Sequence, residues 1–131
     1  MQSIIDKQCQ YEVTQFLMGY PFNTSQIGYD YLIDSIVMVL EMERGKRLRL
    51  GKDIYSELAK KLNVNLKYYE KSVRQTLLTV SANCRNNTDI VYPNEAVRLA
   101  FKAPTAKSFI YTVVTQILLN RKAKQLNYAT N

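Results

Sequence analysis

Apolar residues recur along this chain at helical intervals, and no segment alternates with the two-residue period of a half-buried strand. The clearest stripe is Tyr29, Leu32, Ile33, Ile36, Val37 and Leu40. Its i, i+3, i+4, i+7 spacing predicts a helix from about Gly28 to Glu43 with one buried face. An earlier helical stretch, roughly Ile4 to Met18, is closed by Gly19 and Pro21, and Thr24 and Ser25 are candidate caps for its successor. Ile54, Tyr55, Leu58, Ala59 and Leu62 share one face of a third helix, Asp53 to Leu62. Asn63-Val64-Asn65 breaks it, and Asn65 can cap the next helix by accepting from amides of the first turn. That fourth helix runs from about Leu66 to Ala82, with Leu66, Tyr69, Val73, Leu77 and Val80 on its apolar stripe. A polar stretch, Asn83 to Asp89, follows, and Pro93 opens a short helix to about Phe101. Pro104-Thr105 introduces the last helix, about Ala106 to Lys124, with Phe109, Ile110, Val113 and Ile117 inward. Residues 125–131 are expected to form a flexible tail. The pattern predicts an all-α six-helix bundle in one domain, residues 1–131, without internal repeats.

Composition narrows the chemistry. Apolar residues make up 47% and charged residues 22% of the 131, an ordinary globular mixture that needs no metal or disulfide staple at this length. No apolar run follows a basic start, so no signal peptide is expected. The most apolar stretch, Phe109 to Leu119, is too short for a bilayer and is interrupted by Thr112, Thr115 and Gln116. No membrane partner is expected, and two distant cysteines, Cys9 and Cys84, suit a reducing cytoplasm. There is no histidine, which removes Ser-His and Cys-His nucleophile pairs and any histidine-containing zinc site. The four glycines form no phosphate-cradling loop. Carboxylate pairs such as Asp30 with Asp34 and Glu41 with Glu43 read as solvated helix faces. Neither an enzyme, a cofactor, a metal nor a small-molecule substrate is expected.

Charge is distributed unevenly along the +7 chain. Residues 1–43 hold one lysine against six acids, and residues 44–131 hold 17 lysines and arginines against five. A strongly basic section of this kind suits a polyanion partner. Its densest part, Arg44 to Lys52, is bracketed by Gly45 and Gly51 and is predicted to be a loop.

The helices at 53–62 and 66–82, joined by three residues, carry the signature of a helix-turn-helix of the winged-helix or homeodomain kind. Projected at about 100° per residue from Tyr69, the apolar stripe of the second helix centres near 40°. Lys67, Lys71 and Arg74 fall at about 140° to 200°, Gln75 and Tyr68 at about 240° to 260°, and Glu70 flanks them at about 100°. One face thus gathers Lys67, Tyr68, Lys71, Arg74 and Gln75 in the first half of the helix, the part that enters a major groove. Arg or Lys can pair with guanine O6 and N7, Gln with adenine N6 and N7, and Glu70 can accept from cytosine N4. Arg47, Arg49, Lys52, Lys60, Lys61 and Arg85 are then candidate phosphate contacts, which position without specifying. The bland reading of the same face is the wet side of an amphipathic helix. Tyr68 can stack on a base, touch a thymine methyl, or simply cover the helix.

Four segments in order carry a resemblance: Gly28-Tyr29-x-Tyr31-Leu32, Ile54-Tyr55-x-x-Leu58-Ala59-Lys60-Lys61-x-Asn63, Tyr69-Glu70-Lys71-Ser72-Val73-Arg74, and Pro104-Thr105-x-x-x-Phe109-Ile110. Over about residues 13 to 122 the chain resembles the C-terminal effector domain of stage 0 sporulation protein A, a response regulator of sporulation. The resemblance implies a six-helix DNA-binding fold with its helix-turn-helix at 53–82, and it carries over Glu70, Lys71 (arginine in the family) and Arg74 as recognition-helix positions. Tyr68 stands where the family has a guanine-reading arginine, and Gln75 where it has histidine, so a changed operator is expected. The family's receiver domain is absent from these 131 residues, implying either an excised domain or a free-standing relative; in a free-standing chain, phosphorylation-driven dimerisation is not the switch.

The expected function is therefore a sequence-specific regulator of transcription that binds double-stranded DNA, with RNA polymerase or a second copy as possible protein partners. The alternative is a protein-interaction module that kept the fold and lost operator reading, binding a regulator or RNA polymerase through its acidic section, with Cys9, if exposed, or the Glu41-Met42-Glu43 edge in the contact.

Overall fold

The computed structural model describes the backbone of residues 4–42 and 49–130 and the side chains of 7–42 and 49–126. Among these residues every element is helical: α1 (Ile4–Leu17), α2 (Ile27–Glu41), α3 (Ser56–Leu62), α4 (Leu66–Arg85), α5 (Glu95–Lys102) and α6 (Ala106–Thr130), with a π-helical segment, Leu50–Tyr55, leading into α3. The six predicted helices are present, and no helix of the described residues is long and apolar enough to cross a membrane.

The arrangement follows from α2. Nine of its fifteen residues are buried, including Tyr29, Tyr31, Leu32, Ile36 and Leu40. A helix apolar on most of its circumference has to lie inside the bundle, and α2 packs against α1, α4 and α6 at once. Its side toward α4 is a tight seam. A β-carbon on Gly28 would fall inside 3.0 Å of the Ser72 carbonyl oxygen and of Thr76 Oγ1, and 2.5 Å from the Ser72 carbonyl carbon. Only glycine lets these two backbones approach so closely.

A buried polar knot lies farther along the same seam. Tyr69, fully buried, stacks on Tyr31 with ring centroids 4.4 Å apart and 11° between planes. The Tyr69 hydroxyl donates to the Tyr31 carbonyl at 2.8 Å. The Ser35 hydroxyl lies 2.8 Å from both of those oxygens, so two protons serve three oxygens and no group is left unpaired. Thr76 and Ser81, also buried, are satisfied by Gln26 and by the Lys102 carbonyl. At the opposite side, Arg121 of α6 grips Glu12 of α1 through Nε and Nη2, at 2.8 and 2.6 Å, and donates to Cys9 Sγ at 3.4 Å.

Several boundaries differ from the sequence expectation. The first cap of α2 is Gln26, not Thr24 or Ser25; the Ser25 amide instead donates to Asn23 Oδ1 in a local turn. Helical winding starts at Leu50 rather than Asp53, because Gly51 offers its carbonyl to both the amide and the hydroxyl of Ser56, a five-residue step that widens the turn. Leu62, expected on the apolar face of α3, is 45% exposed. Helix α4 continues three residues beyond Ala82, and α6 runs to Thr130 rather than ending near Lys124; no glycine or proline stands at either place to stop it.

Candidate nucleic-acid interface

The turn between α3 and α4 is built from two asparagines with separate tasks. Asn63 adopts a left-handed conformation (φ 56°, ψ 45°), which asparagine tolerates better than most residues. Its amide donates to Lys60 O at 3.1 Å and that of Val64 to Ala59 O at 3.0 Å, the paired bonds of a Schellman closure. Asn65 then opens α4: its Oδ1 accepts from the Lys67 amide at 2.8 Å and the Tyr68 amide at 3.4 Å, as its place in the sequence predicts. Half-buried Val64 fills the space between them. The turn therefore fixes the start of α4 through backbone chemistry, and Tyr69 one turn later anchors it to the core.

With that stripe buried (Tyr69, Val73, Leu77 and Val80), the opposite side of α4 is presented outward. Lys67, Tyr68, Lys71, Arg74 and Gln75 are all exposed and share it. Among the described residues no carboxylate pairs with Lys67, Lys71 or Arg74. The only acid on α4, Glu70, is half-buried at one edge, with its Oε1 3.7 Å from where a Gly51 side chain would begin. Glu70 thereby faces the π-helical segment, and its charge joins burial in holding the Tyr55 hydroxyl far above the usual phenol range.

The other edge borders α2. Tyr68, Lys71 and Gln75 line a cleft of about 270 Å³ with Gln26, Ile27, Gly28, Ser72 and Thr76. Tyr68 is 49% exposed, and its ring meets Tyr31 edge-on, with centroids 6.2 Å apart and 79° between planes. Gln26 closes one end of the cleft, donating to Thr79 Oγ1 at 3.2 Å and accepting from Thr76 Oγ1 at 3.4 Å. Sequence projection did not include Gln26 and Ile27, because nothing local indicates that α2 starts beside α4. It also passed over Leu78, 52% exposed on the outward side; a leucine opposite an apolar stripe was the available signal.

The phosphate candidates divide. Lys60 and Lys61 are exposed on the last turn of α3, where they also complement the partial negative charge of the helix end. Arg49 and Lys52 are exposed around the π-helical segment, where the Arg49 amide donates to the Asp53 carboxylate at 2.6 Å and the Asp53 amide returns a bond to Arg49 O at 2.7 Å. Arg47 lies outside the described residues. Arg85 is at the far end of α4, about 21 Å along the axis from Lys71, with Nη1 folded onto Ser81 Oγ at 3.2 Å.

Cys9, the residue whose exposure was in question for the protein-interaction alternative, is 3% exposed, and burial pushes its thiol up. Glu43 of the acidic edge lies outside the described residues. Both cysteines are free.

Compared with known proteins, residues 13–117 match the family model of the sporulation initiation factor Spo0A C terminal. No curated protein and no solved structure matches.

Proposed function

This chain belongs to the Spo0A C-terminal family, DNA-binding effector domains of sporulation regulators, and on that premise we propose that it is a sequence-specific reader of duplex DNA that regulates transcription. The observation that carries the reading is the outward face of α4: five polar side chains on the first half of a capped, anchored helix, with its cations unopposed by carboxylates among the described residues. In a major groove, Lys67, Lys71 and Arg74 suit guanine O6 and N7, Gln75 suits adenine, and Glu70, from its edge, suits the cytosine amino group. Tyr68 offers a ring where a cation would be needed for guanine. Arg49, Lys52, Lys60 and Lys61 contact phosphates on either side, with Arg47 continuing the same basic segment. Arg85 would reach flanking duplex beyond the reading half of the helix. Such a protein works in the cytoplasm, and RNA polymerase or a second copy of the chain is its candidate protein partner.

The test is selection of duplexes from a random library, followed by anisotropy titration of the selected sequence across a salt series. Six phosphate contacts predict a slope of log K against log salt of about −5. Arg74→Ala with Lys71→Ala should abolish sequence preference while leaving weak, salt-sensitive binding. Specific binding that survives the double substitution, or a flat salt profile, overturns the proposal. Capture of a protein partner alongside only sequence-blind DNA binding would establish the interaction-module alternative instead.

A further inference from the structure

We propose that the cleft between α2 and α4 is a thymine-reading subsite, in which Tyr68 and Ile27 enclose the 5-methyl group of a T·A pair. The inference rests on the reading above, that α4 enters the major groove, and adds a base identity to one edge of it.

Three observations lead there. First, the cleft opens on the reading face itself: Lys71 and Gln75 are at once its lining and two of the exposed polar residues of α4. A duplex drawn to the exposed cations Lys67, Lys71 and Arg74 brings base edges to its mouth. Second, two of its accessible walls are hydrophobic in character, Tyr68 at 49% exposure and Ile27 at 45%. Thymine is the base that presents an apolar group in the major groove; guanine, adenine and cytosine present donors and acceptors there. A phenol ring and a branched alkyl chain satisfy a methyl group and leave those polar edges unpaired. Third, the walls are preset. Tyr31 holds the Tyr68 ring edge-on at 6.2 Å, and Tyr31 is itself held by the 4.4 Å stack on Tyr69 and by the Tyr69 and Ser35 hydroxyls on its carbonyl. The seam at Gly28 sets the distance between α2 and α4, and the Gln26 bonds to Thr76 and Thr79 close the end. Tyr31 is thus a positioning residue for Tyr68. Gln75 stands two turns from Tyr68, about 10.5 Å along the axis of α4, so an adenine it reads is not the partner of the methyl group at Tyr68.

The experiment starts from the duplex selected in the library above. Each thymine is replaced singly by deoxyuridine, which removes the methyl group and keeps the pairing, and affinity is read by anisotropy at fixed salt. One position should lose about four-fold, the equivalent of roughly 0.8 kcal/mol for one buried carbon group. In Tyr68→Ala that position should become insensitive to the methyl, while preferences at the other base pairs persist. Tyr31→Phe, which keeps the ring, should retain the sensitivity, and Tyr31→Leu should weaken it without changing the salt slope. A selected duplex with no methyl-sensitive thymine, or one whose sensitivity survives Tyr68→Ala, overturns the subsite and leaves the DNA-reading proposal standing. A phosphate in the cleft would give the same insensitivity to deoxyuridine, and so also counts against it. A library that yields no preferred sequence overturns both.

Discussion

Replacing Gly28 with alanine tests whether α2 and α4 meet as closely as the structure shows. The added carbon would lie 2.5 Å from the Ser72 carbonyl carbon and closer still to its oxygen. To regain even 3.0 Å from that carbon the helices must part by about half an ångström, and by more to clear the oxygen. Two of the three nearest atoms are backbone, so no side-chain rotation relieves the clash. Overpacking of this kind costs about 1–3 kcal/mol. The Gln26 bonds to Thr79 and Thr76, already 3.2 and 3.4 Å long, stretch with the separation, and each is worth about 0.5–1.5 kcal/mol. Against these stands the gain from alanine in a helix, up to about 1 kcal/mol, smaller here because position 28 is in the first turn. The losses win, leaving a net destabilisation of about 2 kcal/mol. With a urea m-value of about 1.5 kcal/mol/M for a chain this size, the unfolding midpoint should fall by about 1 M at unchanged m. Gly28→Val should fall further, since it adds two more carbons to a seam with room for none. A midpoint for Gly28→Ala equal to or above that of the parent would refute the close approach.

Other substitutions probe separate parts of the molecule. Asn65→Ala removes the cap that holds the Lys67 and Tyr68 amides; a loss of about 1 kcal/mol is expected in chemical denaturation. Burial, reinforced by the nearby Asp30 charge, raises the Asp34 carboxyl above its ordinary value of 3.8. The folded state therefore binds that proton more tightly than the unfolded chain, and its contribution falls as pH rises from the ordinary value through the raised one. Asp34→Asn should raise the melting temperature at neutral pH, with the gain vanishing in acid below the ordinary carboxylate range. Arg121→Gln strips the two-pronged partner from Glu12, whose side chain is only 18% exposed. Since the arginine itself is about a third exposed, a loss of only about 1–2 kcal/mol is expected, and high salt should reduce it.

Features with local causes were legible in the sequence. The stripe Tyr69, Val73, Leu77 and Val80 and the Asn65 cap depend on spacing within one turn or two of the same helix, and they place the outward face of α4 without knowledge of anything else. Residues satisfied by distant partners were not legible. Thr76 and Ser81 are polar residues whose burial makes sense only once Gln26 and the Lys102 carbonyl arrive beside them. Cys9 is buried beneath α6 with Arg121, 112 residues later, against its sulfur. Gly28 gives no local sign of its neighbour, since its reason for being glycine is the Ser72 carbonyl. The same holds for the cleft at Tyr68: one wall belongs to α4, whose pattern can be projected, and the other to α2, whose position beside it only the fold supplies.

On the proposal that α4 reads duplex DNA, the seam at Gly28 also constrains how that helix could respond to its target. A reading helix that rolls or slides on its core can adapt to small differences in groove width, but this one has backbone against backbone on one side and a stacked tyrosine pair on the same flank. Accommodation must then come from the other molecule. On that proposal, duplexes whose intrinsic shape already suits the rigid face should be preferred over equally matched sequences that must be deformed, by the few kcal/mol that bending or twisting a short site costs. Base pairs that touch no side chain should therefore still influence binding, most visibly at flexible pyrimidine–purine steps beside the contacted positions.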